Sequence, residues 1–169
     1  MAIELASPEL TPREFLDHIV RPNIEALQAD PGSLRHAHNA VLTADALAAH
    51  VFLQLMQIRP AVIPQYKNHD DGYRDALADA HPTYRVLRDL AAALKHAALL
   101  RPKPRIVRAA GQMGARRSGW GNAMWDVDAW DGDFLVVLHT DDDSGPRSVG
   151  DVVAEGLAVL EAEMLKHGL

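Results

Sequence analysis

The sequence predicts an α+β protein that is mostly α-helical: an antiparallel bundle of four or five helices, then a small antiparallel β-sheet, then a C-terminal helix. Two observations support this. Apolar side chains recur at helical spacing through residues 1–100, whereas residues 101–145 contain short apolar segments separated by glycine-rich sequence. At 169 residues and 48% hydrophobic composition, the chain can form one domain with its own core. We therefore expect a single domain, closed by a helix in residues 146–169.

The first helix begins at Thr11-Pro12, which supplies a capping hydroxyl and a proline at the first helical position. The apolar residues that follow at helical spacing are Phe15, Leu16, Ile19 and Val20. Pro22 lies inside this pattern and lacks a backbone N–H. It predicts a kink or a break before residues 23–29.

Residues 33–58 form the longest predicted helix, capped by Ser33, and most of its circumference is apolar or alanine. His38 and Asp45 are exceptions on the apolar side. An unpaired buried carboxylate costs several kcal/mol, so Asp45 requires a partner from another helix. His38 lies about 10 Å away along the helix axis and needs a partner of its own. The two residues predict either buried ion pairs or a small-ligand site.

A shorter helix is predicted for residues 70–80, and another for residues 84–100, where Arg-Pro-Lys-Pro stops it. One face of this later helix is polar and the other is apolar. The polar side chains are Arg85, Arg88, Asp89, Lys95 and His96. They are interpreted either as a solvated face with an Arg85–Asp89 pair or as a site for an anion or RNA phosphate. Arg88, Lys95 and His96 are also the candidate partners of Asp45.

Beyond residue 104 the sequence predicts strands at 105–110 and 134–140, the second after an Asp-Gly turn at 131–132. A third short strand is expected around residues 124–127. A turn at 141–145 precedes the C-terminal helix at 149–166. Its predicted inward residues are Val149, Val152, Val153, Leu157, Leu160 and Met164.

The net charge of −6 argues against a general nucleic-acid coat protein, but charge is distributed unevenly. Residues 90–125 contain seven basic and no acidic residues, and residues 126–143 contain seven aspartates and no lysine or arginine. The two blocks either neutralise each other on neighbouring strands, or residues 95–117 form a basic groove for RNA or another polyanion.

The chain has no cysteine, no Glu-x-x-His and no His-x₃-His pair. We therefore predict no metal site, and no glycine-rich nucleotide motif suggests a cofactor. The N-terminal residues lack a basic start followed by an apolar run, and no run of about 18 apolar residues occurs. We expect a cytoplasmic protein with no membrane segment.

Two segments, Arg35-His-Ala-His-Asn39 and the Arg-Asp…Lys-His stretch within residues 87–96, resemble a family of small, uncharacterised bacterial helical-bundle proteins distantly similar to HEPN proteins. The resemblance implies a homodimer in which two sites meet, and a role in toxin–antitoxin or defence systems. It also implies His96 as an acid/base and Arg88 with Lys95 as phosphate ligands. Seven residues separate Arg88 from His96, which is more than in HEPN ribonucleases.

The leading hypothesis is a non-enzymatic interaction protein or small-ligand- or anion-binding protein. Its predicted site residues are Asp45, His38, Arg88, Asp89, Lys95 and His96. The alternative is a HEPN-like ribonuclease, or an inactive relative of one, in which His96 and Arg88 are catalytic.

Overall fold

The computed structural model describes residues 10–96, 99, 105–117, 134–142 and 145–169. Its α-helices are α1 (Pro12–Phe15), α2 (Arg21–Ala29), α3 (Leu34–Ile58), α4 (Asp70–Ala80), α5 (Pro82–His96) and α6 (Val149–His167). Its strands are β1 (Met113–Arg117), β2 (Phe134–Leu138) and β3 (Arg147–Ser148). The predicted fold class, a helical bundle with a small antiparallel sheet and a C-terminal helix, is confirmed.

The start of the bundle follows the predicted cap. The Thr11 hydroxyl accepts a hydrogen bond from the Glu14 N–H, and the Glu14 carboxylate accepts one from the Thr11 N–H. These hydrogen bonds lower the pKa of Glu14. The irregularity predicted at Pro22 takes the form of a π-helical turn, Leu16–Val20, which connects α1 to α2 without a break in helical structure. Pro22 lies in the first turn of α2 and has no N–H to donate to the preceding helical turn, at the place where the π-helical turn interrupts the regular α-helical pattern.

Helix α3 is the centre of the bundle and packs against α1, α2, α4, α5 and α6. By length and composition alone it is the one helix in the described ranges that could cross a membrane, a test that the core helix of a soluble protein also passes. Its ten buried residues, among them Asp45, favour the role of a core helix.

Helix α6 packs against α3 and α5, and all six residues predicted to face inward are buried. At the α5–α6 contact a Cβ on Gly156 would lie 2.5 Å from a Leu87 methyl carbon. The absence of a side chain at Gly156 therefore allows α6 to approach α5 closely at Leu87.

The sheet has the strand order β1-β2-β3 with both pairings antiparallel. The strand predicted at 134–140 is confirmed as β2. The prediction of a strand at 105–110 is wrong, because backbone N–H groups of this segment donate to side chains. The Asp89 carboxylate accepts a hydrogen bond from the N–H of Ile106, and the Gln112 side chain accepts from the N–H groups of Arg108 and Ala109. The predictions at 124–127 and 131–132, and the end of the helix at residue 100, lie outside the described residues.

Candidate ligand-binding cleft

The polar face of α5 divides into a buried and an exposed part. Arg88 and Asp89 are 8% and 2% exposed, Arg85 is half-buried, and Lys95 and His96 are exposed. The interpretation as a solvated face is therefore wrong for the middle of the helix. The side chains also contact different neighbours, so one predicted cluster becomes two separate regions.

The first region surrounds Asp45, whose side chain is fully buried at the junction of α3, α4 and α5. Lys95 Nζ donates a hydrogen bond to Asp45 Oδ2 at 3.0 Å, and the Tyr84 hydroxyl lies 3.4 Å from Oδ1. Arg74 NH1 is 3.6 Å from Oδ2. The predicted partner from another helix is confirmed as Lys95. We call these four residues the Asp45 network.

Burial, together with the negative charge of Asp45, raises the pKa of Tyr84 well above its ordinary value. The phenol therefore keeps its proton and remains a hydrogen-bond donor to the carboxylate. Arg74 also pairs with Asp70 at 3.2 Å, so this cation is shared between two carboxylates. The network joins three helices through charge-assisted contacts, which makes it a structural element of the core.

His38 does not join the Asp45 network. Its Nδ1 lies 3.0 Å from the carbonyl oxygen of Leu34 on the same helix, one turn earlier. The expectation that His38 needs a partner from another helix is wrong, because the half-buried imidazole is satisfied by its own backbone.

The second region is a cleft of about 450 Å³ between α4, α5 and residues 105–106. Its lining residues are Asp75, Ala78, Asp79, Arg85, Arg88, Asp89, Arg105 and Ile106. Two of the predicted site residues, Arg88 and Asp89, are among them. Asp45, Lys95 and His96 are not, and His96 follows Arg88 by eight residues, or about 12 Å along the helix axis.

Asp89 builds one wall of the cleft. Its Oδ1 lies 2.5 Å from Arg105 NH1, and its Oδ2 accepts a hydrogen bond from the Ile106 N–H at 2.9 Å. The predicted Arg85–Asp89 pair does not form, because both carboxylate oxygens are directed toward residues 105–106 and Arg85 pairs with Asp79 on α4 instead.

The arginines of the cleft retain unused donors. Arg88 NH2 lies 3.0 Å from Asp71 Oδ1, while its buried Nε has no hydrogen-bond partner among the described residues. Arg85 pairs with Asp79, whose side chain is 74% exposed. Since a guanidinium has five N–H donors in a planar fork, these groups can donate hydrogen bonds to a carboxylate or phosphate in addition to their present partners.

The sequence interpretation missed the α4 wall and Arg105. Asp71, Asp75 and Asp79 recur every four residues, a spacing that places all three on one face of α4, so this wall was open to prediction. Nothing near Arg105 in the sequence signals its pairing with Asp89, sixteen residues earlier.

The two charge blocks meet in part. Arg108 Nε lies 3.0 Å from Asp141 Oδ2, which confirms neutralisation for this pair, whereas Arg105 belongs to the cleft. Within the described ranges, no group of three His, Asp or Glu side chains is placed to hold a metal ion. Comparisons with protein-family models, curated proteins and solved structures give no match.

Proposed function

We propose that this protein binds a small polar ligand carrying an acidic group in the cleft between α4, α5 and residues 105–106, without catalysing a reaction. The observation that supports this proposal is the convergence of Arg85, Arg88 and Arg105 on one solvent-open cavity. A cleft of about 450 Å³ falls in the range of small-molecule sites.

The present partners of these arginines can be exchanged for a ligand. Surface ion pairs such as Arg85–Asp79 contribute less than about 1 kcal/mol, so a bound carboxylate or phosphate competes for the guanidinium at little cost. Arg88 is different, because an unsatisfied buried donor costs about 1–3 kcal/mol. A small rotation of its side chain toward an acidic ligand would remove that cost.

The proposed experiment measures thermal unfolding with a panel of small acids, namely inorganic phosphate, simple carboxylates and amino acids, at constant ionic strength. We expect at least one to raise the Tm of the wild type through preferential binding to the folded state. The double variant Arg85→Gln/Arg105→Gln should lose this response. Arg21→Gln is the control for the loss of an arginine away from the cleft, because Arg21 pairs with Asp17 and Glu161 on the exposed surface. A panel without effect, or a response that survives in the double variant, would contradict the proposal.

The alternative prediction is a HEPN-like ribonuclease. A homodimer and an RNA- or polyanion-binding segment at 95–117 also stay predictions. So do a bacterial source and a location in the cytoplasm. The separation of His96 from the cleft gives the ribonuclease less support than the binding function has. Its test is RNA cleavage by the wild type and by His96→Ala. Cleavage that the substitution abolishes would establish the enzyme and replace the binding proposal.

A further inference from the structure

Asp79 differs from the other two aspartates in the described lining of the cleft. Asp89 is 2% exposed, and both of its carboxylate oxygens have partners on residues 105–106. Asp75 is half-buried and has an interaction of its own within the protein. The side chain of Asp79 is 74% exposed and pairs with Arg85. Among these three aspartates, Asp79 is therefore the one that can leave its partner for water at little cost.

The Asp79–Arg85 pair spans the short connection between α4 and α5. Helix α4 ends at Ala80 and α5 begins at Pro82, so a single residue joins the two helices. Because only six positions separate Asp79 from Arg85, the carboxylate stays close to the guanidinium whenever both helices are formed. A group tethered in this way acts at a high effective concentration.

A ligand acid group would use the same guanidinium. Arg85 Nη2 donates a hydrogen bond to Asp79 Oδ1, and both residues line the cleft. A carboxylate or phosphate bound to Arg85 would lie beside the Asp79 carboxylate, and two neighbouring negative charges repel each other. Asp79 and the ligand therefore compete for Arg85.

Resting on the proposed function, we propose that Asp79 is an internal competitor of the acidic ligand. Asp79 pairs with Arg85 in the free protein and turns toward solvent when a ligand acid group binds. For an exposed pair, the paired state outnumbers the unpaired state by up to about five to one. Since the ligand binds the unpaired state, the contact raises the Kd of the ligand by about two- to sixfold. The Asp79–Arg85 contact thus tunes the affinity of the cleft.

The test measures the Kd of inorganic phosphate and of acetate by NMR titration at constant ionic strength, for the wild type and for Asp79→Asn. We expect the variant to bind at least one of them about two- to sixfold more tightly, because a neutral amide competes only weakly for Arg85. Asp17→Asn is the control for the loss of an aspartate that pairs with an arginine away from the cleft, and it should leave the Kd unchanged.

The second readout is the NMR signal of the Asp79 side-chain carboxyl carbon, which separates competition from a general effect of charge on affinity. The variant Arg85→Gln gives the position of this signal for the unpaired carboxylate. Saturating the wild type with phosphate or acetate should move the signal toward that position, because the bound acid displaces Asp79 from Arg85.

An unchanged or higher Kd in Asp79→Asn, or an Asp79 signal that stays in place at saturation, would overturn the internal competitor and leave the acid-binding function standing. If phosphate and acetate bind neither the wild type nor Asp79→Asn, the competitor is also overturned. The acid-binding function falls with it when the rest of the panel of acids has no effect on the Tm.

Discussion

The Asp45 network and the cleft are built from the same chemistry on the same helix, yet they differ in burial. In the network, a fully buried carboxylate meets Lys95, Arg74 and the Tyr84 hydroxyl, and Asp45 is not among the described residues that line the cleft. In the cleft, Arg85 meets an exposed aspartate beside an open cavity. An Asp–cation contact therefore stabilises the fold where water is excluded. Where water has access, the cation remains available for a ligand.

The physical reason is desolvation. When one member of a buried ion pair is removed, the remaining charge has neither a partner nor solvent around it. This costs about 3–5 kcal/mol. An exposed pair returns to water at almost no cost. Substitutions that remove one carboxylate from each region therefore separate the two roles.

The largest expected effect is that of Asp45→Asn. It should lower the free energy of unfolding by about 3 kcal/mol, because Arg74 and Lys95 lose their shared carboxylate. Urea denaturation measures the change. Asp79→Asn is the matched control and should cost less than about 1 kcal/mol, since its side chain is exposed. Equal losses in the two variants would show that burial does not distinguish the regions.

Asp89→Asn should have an intermediate effect, about 1.5–3 kcal/mol, because it removes the charge from two hydrogen bonds, to Arg105 and to the backbone N–H of Ile106. Since this residue fixes the wall of the cleft, the proposed binding of an acidic ligand should weaken at the same time. Hydrogen exchange at Ile106 reports the local change, and protection equal to that of the wild type would argue against a positioning role.

The smallest expected effect is that of Tyr84→Phe, which removes the hydroxyl contact with Asp45 and should cost about 1 kcal/mol at pH 7. The sign of this effect on the free energy of unfolding changes with pH. The pKa of Tyr84 is raised in the folded protein, so the unfolded chain releases the proton first and stability falls as pH rises above about 10.

The variant lacks this ionisation, so its denaturant-derived free energy of unfolding should decline less steeply above pH 10, by as much as about 1.4 kcal/mol per pH unit. The deficit relative to the wild type should shrink there and then reverse. A deficit that stays constant between pH 7 and pH 11 would contradict the assignment.

Local signals in the sequence predicted the helices well. The cap at Thr11 and the apolar spacing of α3 and α6 act within one or two turns, and the structure has helices at these places. The strand predicted at 105–110 was wrong for a non-local reason. Its apolar residues resemble a strand, but the Asp89 carboxylate and the Gln112 side chain hold its backbone donors.

The candidate site was predictable only in part. Arg88 and Asp89 were predicted from the polar face of α5, and both line the cleft. The Arg85–Asp89 pair was predicted from spacing alone and did not form, because Asp89 is turned toward the chain that follows α5. Helical spacing tells which side chains share a face, but it does not tell which neighbour covers that face.

The sequence by itself determined the helical segments, the buried face of α6 and the requirement that Asp45 find a partner, because periodicity, capping and desolvation act on local sequence or on a single group. Only the tertiary structure decided that the partner is Lys95, fifty residues away, and that Arg105 closes a cleft against Asp89, sixteen residues away. Such pairs depend on how helices and loops pack against each other, and that packing is a property of the whole core.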